Sequence, residues 1–250
     1  PLVNGNGFKA LAEAGMAVKH GLMQAEARAM NPGFISRFER GRPWVRAKIA
    51  GSLDGRTTGP DGRSKWITSK AARCDGHRWR ARASAVLTGI NTILADDPRL
   101  NIRLDTGEKT LPVIVLDSQA RLSSDAAILN TESARVIQFT TRPVPTPLNA
   151  ESIVLPADPN GLIPIEPMLQ ALAQREINTV HVEAGATLTG SLLMGGWIDE
   201  LIVYQANSLI GAEGSPLVRL PGMEKFDQRL HMQLIETRRV GGDWRLRYRA

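Results

Sequence analysis

Thr179-Val-His-Val-Glu-Ala-Gly-Ala-Thr-Leu-Thr-Gly-Ser191 reads as a short strand that turns through glycine into a helix. Val180 and Val182 suit a buried strand over Thr179–Val182, and the helix is expected to start near Thr187. A helix that opens just behind a glycine turns its backbone N–H groups outward, where the pyrophosphate of a dinucleotide would fit. Close packing of helix on sheet would ask for the same glycine without any ligand. No Gly-x-Gly-x-x-Gly follows a strand, so a Rossmann nucleotide site is not supported.

The same alternation extends outward in both directions. Further strands are expected at residues 85–87, 113–116, 135–139 and 201–204, with a helix near residues 168–175. Trp44-Val-Arg-Ala-Lys-Ile49 alternates apolar with basic residues as a half-buried strand does, which puts Lys48 on the face opposite Val45, Ala47 and Ile49. Ser69 caps a helix running to about Arg82 that carries Arg73, Trp79 and Arg80. Residues 232–248, Met-Gln-Leu-Ile-Glu-Thr-Arg-Arg-Val-Gly-Gly-Asp-Trp-Arg-Leu-Arg-Tyr, alternate around Gly241-Gly242 as a terminal hairpin. Strands interspersed with helices and closed by this antiparallel hairpin give an α/β domain with a mixed sheet. There is no internal repeat, and Thr141-Arg-Pro-Val-Pro-Thr-Pro147 reads as a stiff connecting loop.

The densest chemistry lies in Thr88-Gly-Ile-Asn-Thr-Ile-Leu-Ala-Asp-Asp-Pro-Arg-Leu-Asn-Ile-Arg103. Asn91 is expected to cap a short helix anchored by Ile93 and Leu94, and Pro98 stops it. Asp96 and Asp97 then fall where the helix dipole disfavours negative charge, so they need a partner. Arg99 and Arg103 are the nearest, and an arginine fork also suits a phosphate or carboxylate ligand.

Composition bounds the rest. The 250 residues, 42% hydrophobic, suffice for one large α/β domain, or for a domain with a fragment attached. Cys74 is the only cysteine, which excludes an intrachain disulfide and a multi-cysteine zinc site. His20, His77, His181 and His231 show no ligand spacing. The formal charge of +6 is dispersed and aromatics are 5%, so no basic and aromatic nucleic-acid platform is expected. An anionic small molecule accounts for the charge better. No apolar run of 18 residues and no basic-then-apolar leader is present, which reads as a cytoplasmic protein without a membrane span.

Four blocks together carry a resemblance: Lys48-Ile-Ala-Gly-Ser-Leu-Asp-Gly-Arg56, Ser64-Lys-Trp-Ile-Thr-Ser69, the Thr88–Arg103 run and Val182-Glu-Ala-Gly-Ala-Thr-Leu-Thr-Gly190. In this order they resemble the reductase domain of the bifunctional riboflavin-biosynthesis deaminase/reductase. The resemblance implies a dihydrofolate-reductase-like mixed sheet flanked by helices over residues 43–250. Residues 1–42 resemble the C-terminal part of the family's cytidine-deaminase-like domain. Pro1 as first residue, with Asn4-Gly-Asn-Gly7 leading into a helix over residues 8–14, reads as a cut chain. Residues 1–42 hold no His-x-Glu and the chain has no Pro-Cys-x-x-Cys, so neither zinc nor deamination is expected of this polypeptide.

The implied activity is NADPH-dependent reduction of 5-amino-6-(5-phosphoribosylamino)uracil, by hydride transfer to C1′ of the ring-opened imine. Gly185, Ala186, Thr187, Leu188, Thr189, Gly190 and Ser191 would form the NADP phosphate turn, with Ala50, Trp66, Thr92, Asp96 and Ser118 elsewhere along the cofactor. Ser64, Arg80, Leu100, Arg103 and Glu183 would meet the substrate, Arg80 and Arg103 at its phosphate. Asp96 is expected to favour the cationic imine. Lys48 would assist ring opening or donate a proton, although a plain solvent-facing lysine also fits its strand position, and Asp97 is expected to pair locally. A homodimer or higher homo-oligomer is implied by the resemblance alone. Two other readings stand beside this one: a reductase of the same fold acting on another pterin-like or pyrimidine substrate, and a non-catalytic nucleotide-binding or interaction module.

Overall fold

The computed structural model describes residues 5–131, 135–144 and 150–250. Residues 145–147 of the expected stiff loop, and Asn4, lie outside them. Three helices come first, α1 (Asn6–Glu13), α2 (Gln24–Met30) and α3 (Pro32–Arg40), followed by β1 (Trp44–Gly51), α4 (Lys70–Arg80), β2 (Ala85–Gly89) and α5 (Ile90–Asp96). A small ribbon, β3 (Ile102–Leu104) and β4 (Gly107–Lys109), precedes β5 (Val113–Leu116), β6 (Val136–Thr140) and β7 (Ala150–Val154). The chain closes with α6 (Ile165–Gln174), β8 (Thr179–Val182), α7 (Ala186–Met194), β9 (Glu200–Gln205), β10 (Gln233–Val240) and β11 (Asp243–Arg249).

Nine strands form one sheet in the order β10-β11-β9-β1-β8-β2-β5-β6-β7. From β9 to β7 every pairing is parallel, and only the terminal hairpin is antiparallel. This is the mixed, helix-flanked α/β class expected, with its C-terminal hairpin. Ser69 caps α4 as expected, its hydroxyl accepting from Ala72 N at 3.3 Å.

One face of the sheet is apolar throughout. Val45, Ala47, Ile49, Ala85, Leu87, Ile114, Ile137, Phe139, Val180 and Val182 pack there against Met168, Leu169 and Leu172 of α6 and Leu192 of α7. The other face carries two separate apolar clusters. Val86, Val113, Val115 and Val136 pack with Ile90 and Ile93 of α5, and Ile202 and Tyr204 pack with Ala72 and Trp79 of α4. Between them, β1 and β8 present Arg46, Lys48, His181 and then Glu183, because side chains alternate along a strand. The polar residues of the chain's centre therefore occupy a strip walled by hydrophobic clusters.

Three local expectations are corrected. Strand β1 is not half-buried with a basic solvent face: it is flanked by β8 and β9, and Arg46 is buried and bonded through Nε to Glu200 at 2.7 Å. Asn91 does not cap α5. The cap is Gly89, and Asn91 sits inside the helix accepting from Arg121 at 2.7 Å. Leu94 does not anchor that helix, being 54% exposed, and Ile90 and Ile93 do so instead.

Helix α3 is tied to the domain. Asp199, just before β9, accepts from Arg40 at 2.6 Å, from Arg42 at 2.8 Å and from Val45 N at 2.7 Å. None of the helices among the described residues is long and apolar enough to cross a membrane.

Candidate active site

Parallel strands end together, and ligands in such sheets gather beyond their carboxyl ends. Here β8 and β2 end beside β1, with Lys48, Glu183 and Thr88 on the same face. Helix α4 crosses above them. Lys48 Cε lies 3.9 Å from where a Cβ on Gly76 would stand, so the lysine runs beneath that helix.

Arg80, the last residue of α4, is buried and grips Glu183 with both ends of its guanidinium, Nε to Oε1 at 2.6 Å and Nη2 to Oε2 at 3.0 Å. Its Nη1 donates to Asn101 O. Arg80, expected at the substrate phosphate, has its charge matched here by a carboxylate. Arg103 is exposed and donates through Nη1 to Asn101 Oδ1 at 2.7 Å, while its backbone N–H donates to His77 Nδ1 at 3.2 Å.

Burial acts on Glu183 to raise its pKa, but the neighbouring Arg80, His181 and Lys48 outweigh it and hold the carboxyl well below the ordinary range. Lys48 is shifted down, mainly by burial, with Glu183 opposing and Arg80 adding to the shift. It is partly buried among charges, not the solvent-facing lysine that the strand pattern allowed. An ammonium destabilised in this way gives up its proton more readily than a surface lysine.

His181 is fully buried, with both ring nitrogens lacking a hydrogen bond and Nε2 3.6 Å from Glu183 Oε1. Burial, together with Arg46, Arg80 and Lys48, lowers its pKa to about 4 against the raising effect of Glu183. A histidine depressed in the folded state binds its proton first in the unfolded chain. Stability is therefore lost as pH falls from about 6.5 towards about 4, and levels off below. His181→Phe is expected to flatten this acid slope, read as urea midpoints at pH 7.5 and pH 5. An unchanged slope would count against the assignment. Sequence reasoning gave His181 no part in the site, because an isolated histidine on a strand carries no spacing signal.

The glycine turn divides into two parts. At Gly185, the cap of α7, a Cβ would meet nothing within 4 Å, and Gly185 and Thr187 are exposed. Ala186, Thr187 and Leu188 follow in the open first turn. Thr189 and Gly190 are instead buried. A Cβ on Gly190 would stand 1.6 Å from the Arg219 carbonyl oxygen, so this glycine is dictated by backbone packing. Gly190→Ala is accordingly expected to cost about 1–3 kcal/mol, seen as a fall in melting temperature, and an unshifted Tm would refute the packing assignment. Leu188 reaches across to Gly89 of the β2–α5 turn, bringing two strand-to-helix turns side by side. Ser191 is exposed on the next turn of α7.

The remaining expected positions are more dispersed. Trp66 is 68% exposed, with the Arg73 guanidinium 4.3 Å from its ring centroid, so it is a surface platform and not a core aromatic. Ser64 is half-buried in the same loop, and Ala50 is half-buried next along the Lys48 face of β1. Ser118 accepts from Ile163 N at 3.2 Å, beyond the end of β5. Leu100 buries its side chain and holds φ at 53°, a conformation unusual for a bulky residue, so only its backbone is free to face a ligand. Thr92 is half-buried on α5.

Asp96 ends α5, exposed, with no ion pair or hydrogen bond to Lys48, Arg80 or Glu183 among the described residues. Neither Arg99 nor Arg103 pairs with Asp96 or Asp97, contrary to expectation. Asp97 does not pair locally either, and accepts from Ala127 N at 2.8 Å. Among the described residues no group of three or more His, Cys, Asp and Glu is placed to hold a metal ion.

The family profile of the RibD C-terminal domain matches residues 43–246. The chain belongs to that family. The RibD C-terminal domain thus begins one residue before β1 and takes in the whole sheet apart from the last residues of β11. The riboflavin biosynthesis protein RibD of Escherichia coli K12 is 38% identical over 259 residues, covering 97% of this chain and 70% of that protein. A 5-amino-6-(5-phosphoribosylamino)uracil reductase of Buchnera aphidicola (Acyrthosiphon pisum) is 36% identical over 199 residues, covering 74% of this chain and 96% of the relative. Among solved structures, Acinetobacter baumannii RibD superposes with a TM-score of 0.85 at 35% identity, covering 100% of this chain and 69% of that one.

Proposed function

We propose that this RibD C-terminal domain reduces 5-amino-6-(5-phosphoribosylamino)uracil to the ribitylamino product, with NADPH as hydride donor. The observation that carries the reading is the Lys48, Arg80 and Glu183 group at the end of β8, near the open Gly185 turn. A relative matched over 96% of its own length bears the name of this reductase, which supports a reductase function separable from deamination.

The residues fit a dinucleotide: the space at Gly185 and the exposed first turn of α7 suit its pyrophosphate, and Trp66 offers an aromatic face. The bound nicotinamide would supply the hydride. Arg103, exposed and without a carboxylate partner among the described residues, would meet the substrate phosphate, helped by the backbone at Leu100 and by Ser64. Arg80 would hold Glu183 ionised and in place, so that Glu183 accepts from the uracil ring or ribose hydroxyls. Lys48 would pass a proton to the ribose ring oxygen as the C1′–O bond opens to the imine, a step its depressed basicity favours. Asp96, with no cationic partner among the described residues, would stabilise the protonated imine that accepts hydride. Residues 1–42 are read as the end of a cytidine-deaminase-like domain and residues 43–250 as the reductase. Cytoplasmic self-association belongs to the same reading.

The decisive experiment follows NADPH oxidation with freshly deaminated substrate, comparing wild type with Asp96→Asn. Wild-type turnover is expected, with a loss of about tenfold to a hundredfold in the variant while cofactor binding is kept. A folded wild type that binds NADPH without turnover would overturn the proposal.

A further inference from the structure

A second charged cavity of about 340 Å³ lies between α4 and the terminal hairpin, lined by Arg78, Arg82, Arg238, Arg245 and Arg247 with Asp75 and Glu236. Its floor is Trp79, buried, with the guanidiniums of Arg46, Arg82, Arg245 and Arg247 between 4.7 and 5.3 Å from the ring centroid. The carboxylates here are already committed. Asp75 accepts from Tyr204 at 2.6 Å and from Arg245 at 2.7 Å, and Glu236 accepts from Arg245 and Arg247. Glu200 takes Arg46 and Arg247, each at 2.7 Å. Three carboxylates thus match three arginines.

Arg78, Arg82 and Arg238 are left without a carboxylate partner among the described residues, all exposed at the rim of this cavity. Arg245, 4% exposed, also has a buried Nε that finds no acceptor. Like charges held around one concavity repel unless an anion joins them, and a guanidinium fork matches phosphate oxygens in pairs. We propose that this cavity binds a compact polyphosphate or phosphorylated small molecule, bridging Arg78, Arg82 and Arg238. The site is distinct from the cleft: it lies on the hairpin side of α4, and Arg80 and Lys48 do not line it.

Calorimetric titration of the 250-residue chain with inorganic pyrophosphate at about 0.1 M salt tests this. With the cleft's own phosphate contact removed by Arg103→Ala, saturable binding is expected to remain, and to weaken about tenfold or more when Arg82→Ala/Arg238→Ala is added. All three rim arginines are exposed, so their removal should leave the fold intact, and Arg78→Gln supplies an independent variant expected to weaken binding as well. Loss of binding in Arg103→Ala with retention in the double variant would assign pyrophosphate to the cleft and overturn the proposal. So would a non-saturating response equal to that of sulfate, or a double variant that alters only the sedimentation of the chain.

Discussion

Lys48→Met is expected to lower kcat by about 10²–10⁴-fold without lowering the melting temperature. The lysine is partly buried in a strip of charges, and its depressed pKa shows that its ionised form is held there at a cost. Methionine keeps the length of the stem along α4 while removing that cost, so stability should hold or rise. The proton needed to open the ribose ring would be lost, and KM should change little because the phosphate contacts are untouched. In wild type the pH profile of kcat should show a group titrating below the ordinary lysine range, and this limb should vanish in the variant. A variant retaining wild-type kcat would remove Lys48 from the chemistry altogether.

The second large effect is on the fold itself. Glu183→Gln leaves the Arg80 guanidinium buried without its carboxylate, and removing one partner of such a pair costs about 3–5 kcal/mol. Urea midpoints should fall accordingly, and turnover with them, since the neutral amide no longer offers Lys48 and the substrate a fixed negative charge. Arg80→Met in the same chain should recover part of the loss, because the stranded charge is gone. A single variant destabilised by less than about 1 kcal/mol, the range of exposed pairs, would mean that Arg80 finds water or another acceptor.

Most elements were legible from local pattern. Strands β2, β5, β6, β8 and β9, the Ser69 cap and the Gly241-Gly242 hairpin all follow from runs of a few residues. Candidate site residues could be named from the sequence, but their pairings could not. Asp96 and Asp97 were assigned Arg99 and Arg103 because those are adjacent in sequence, yet the buried arginines of the polar strip find carboxylates far along the chain. Arg80 meets Glu183 across 103 residues, and Arg46 meets Glu200 across 154. The alternation of Trp44-Val-Arg-Ala-Lys-Ile49 marked two faces correctly, but a basic face looks solvated until the acids brought by β8 and β9 are seen beside it. Gly190 shows the same limit: nothing in its motif distinguishes a glycine kept for an anion from one kept for the carbonyl of Arg219.

The order of strands also sets when this domain can exist during synthesis. Strands β1 and β2, though consecutive in the chain, never pair: β8 is inserted between them. The β2-β5-β6-β7 half can zip up from neighbouring segments as they emerge, while β1 must wait for residues 179–182 before its β8 edge is covered. Lys48 and Arg80 are made early, and Glu183 arrives on the same late segment that closes the sheet. Such long-range closure is intrinsically slow, and an uncovered parallel edge invites wrong partners meanwhile. A nascent chain halted before β8 would therefore carry most of the strands and no centre, so joining β1 to the β2 half of the sheet and assembling the site are a single, late event.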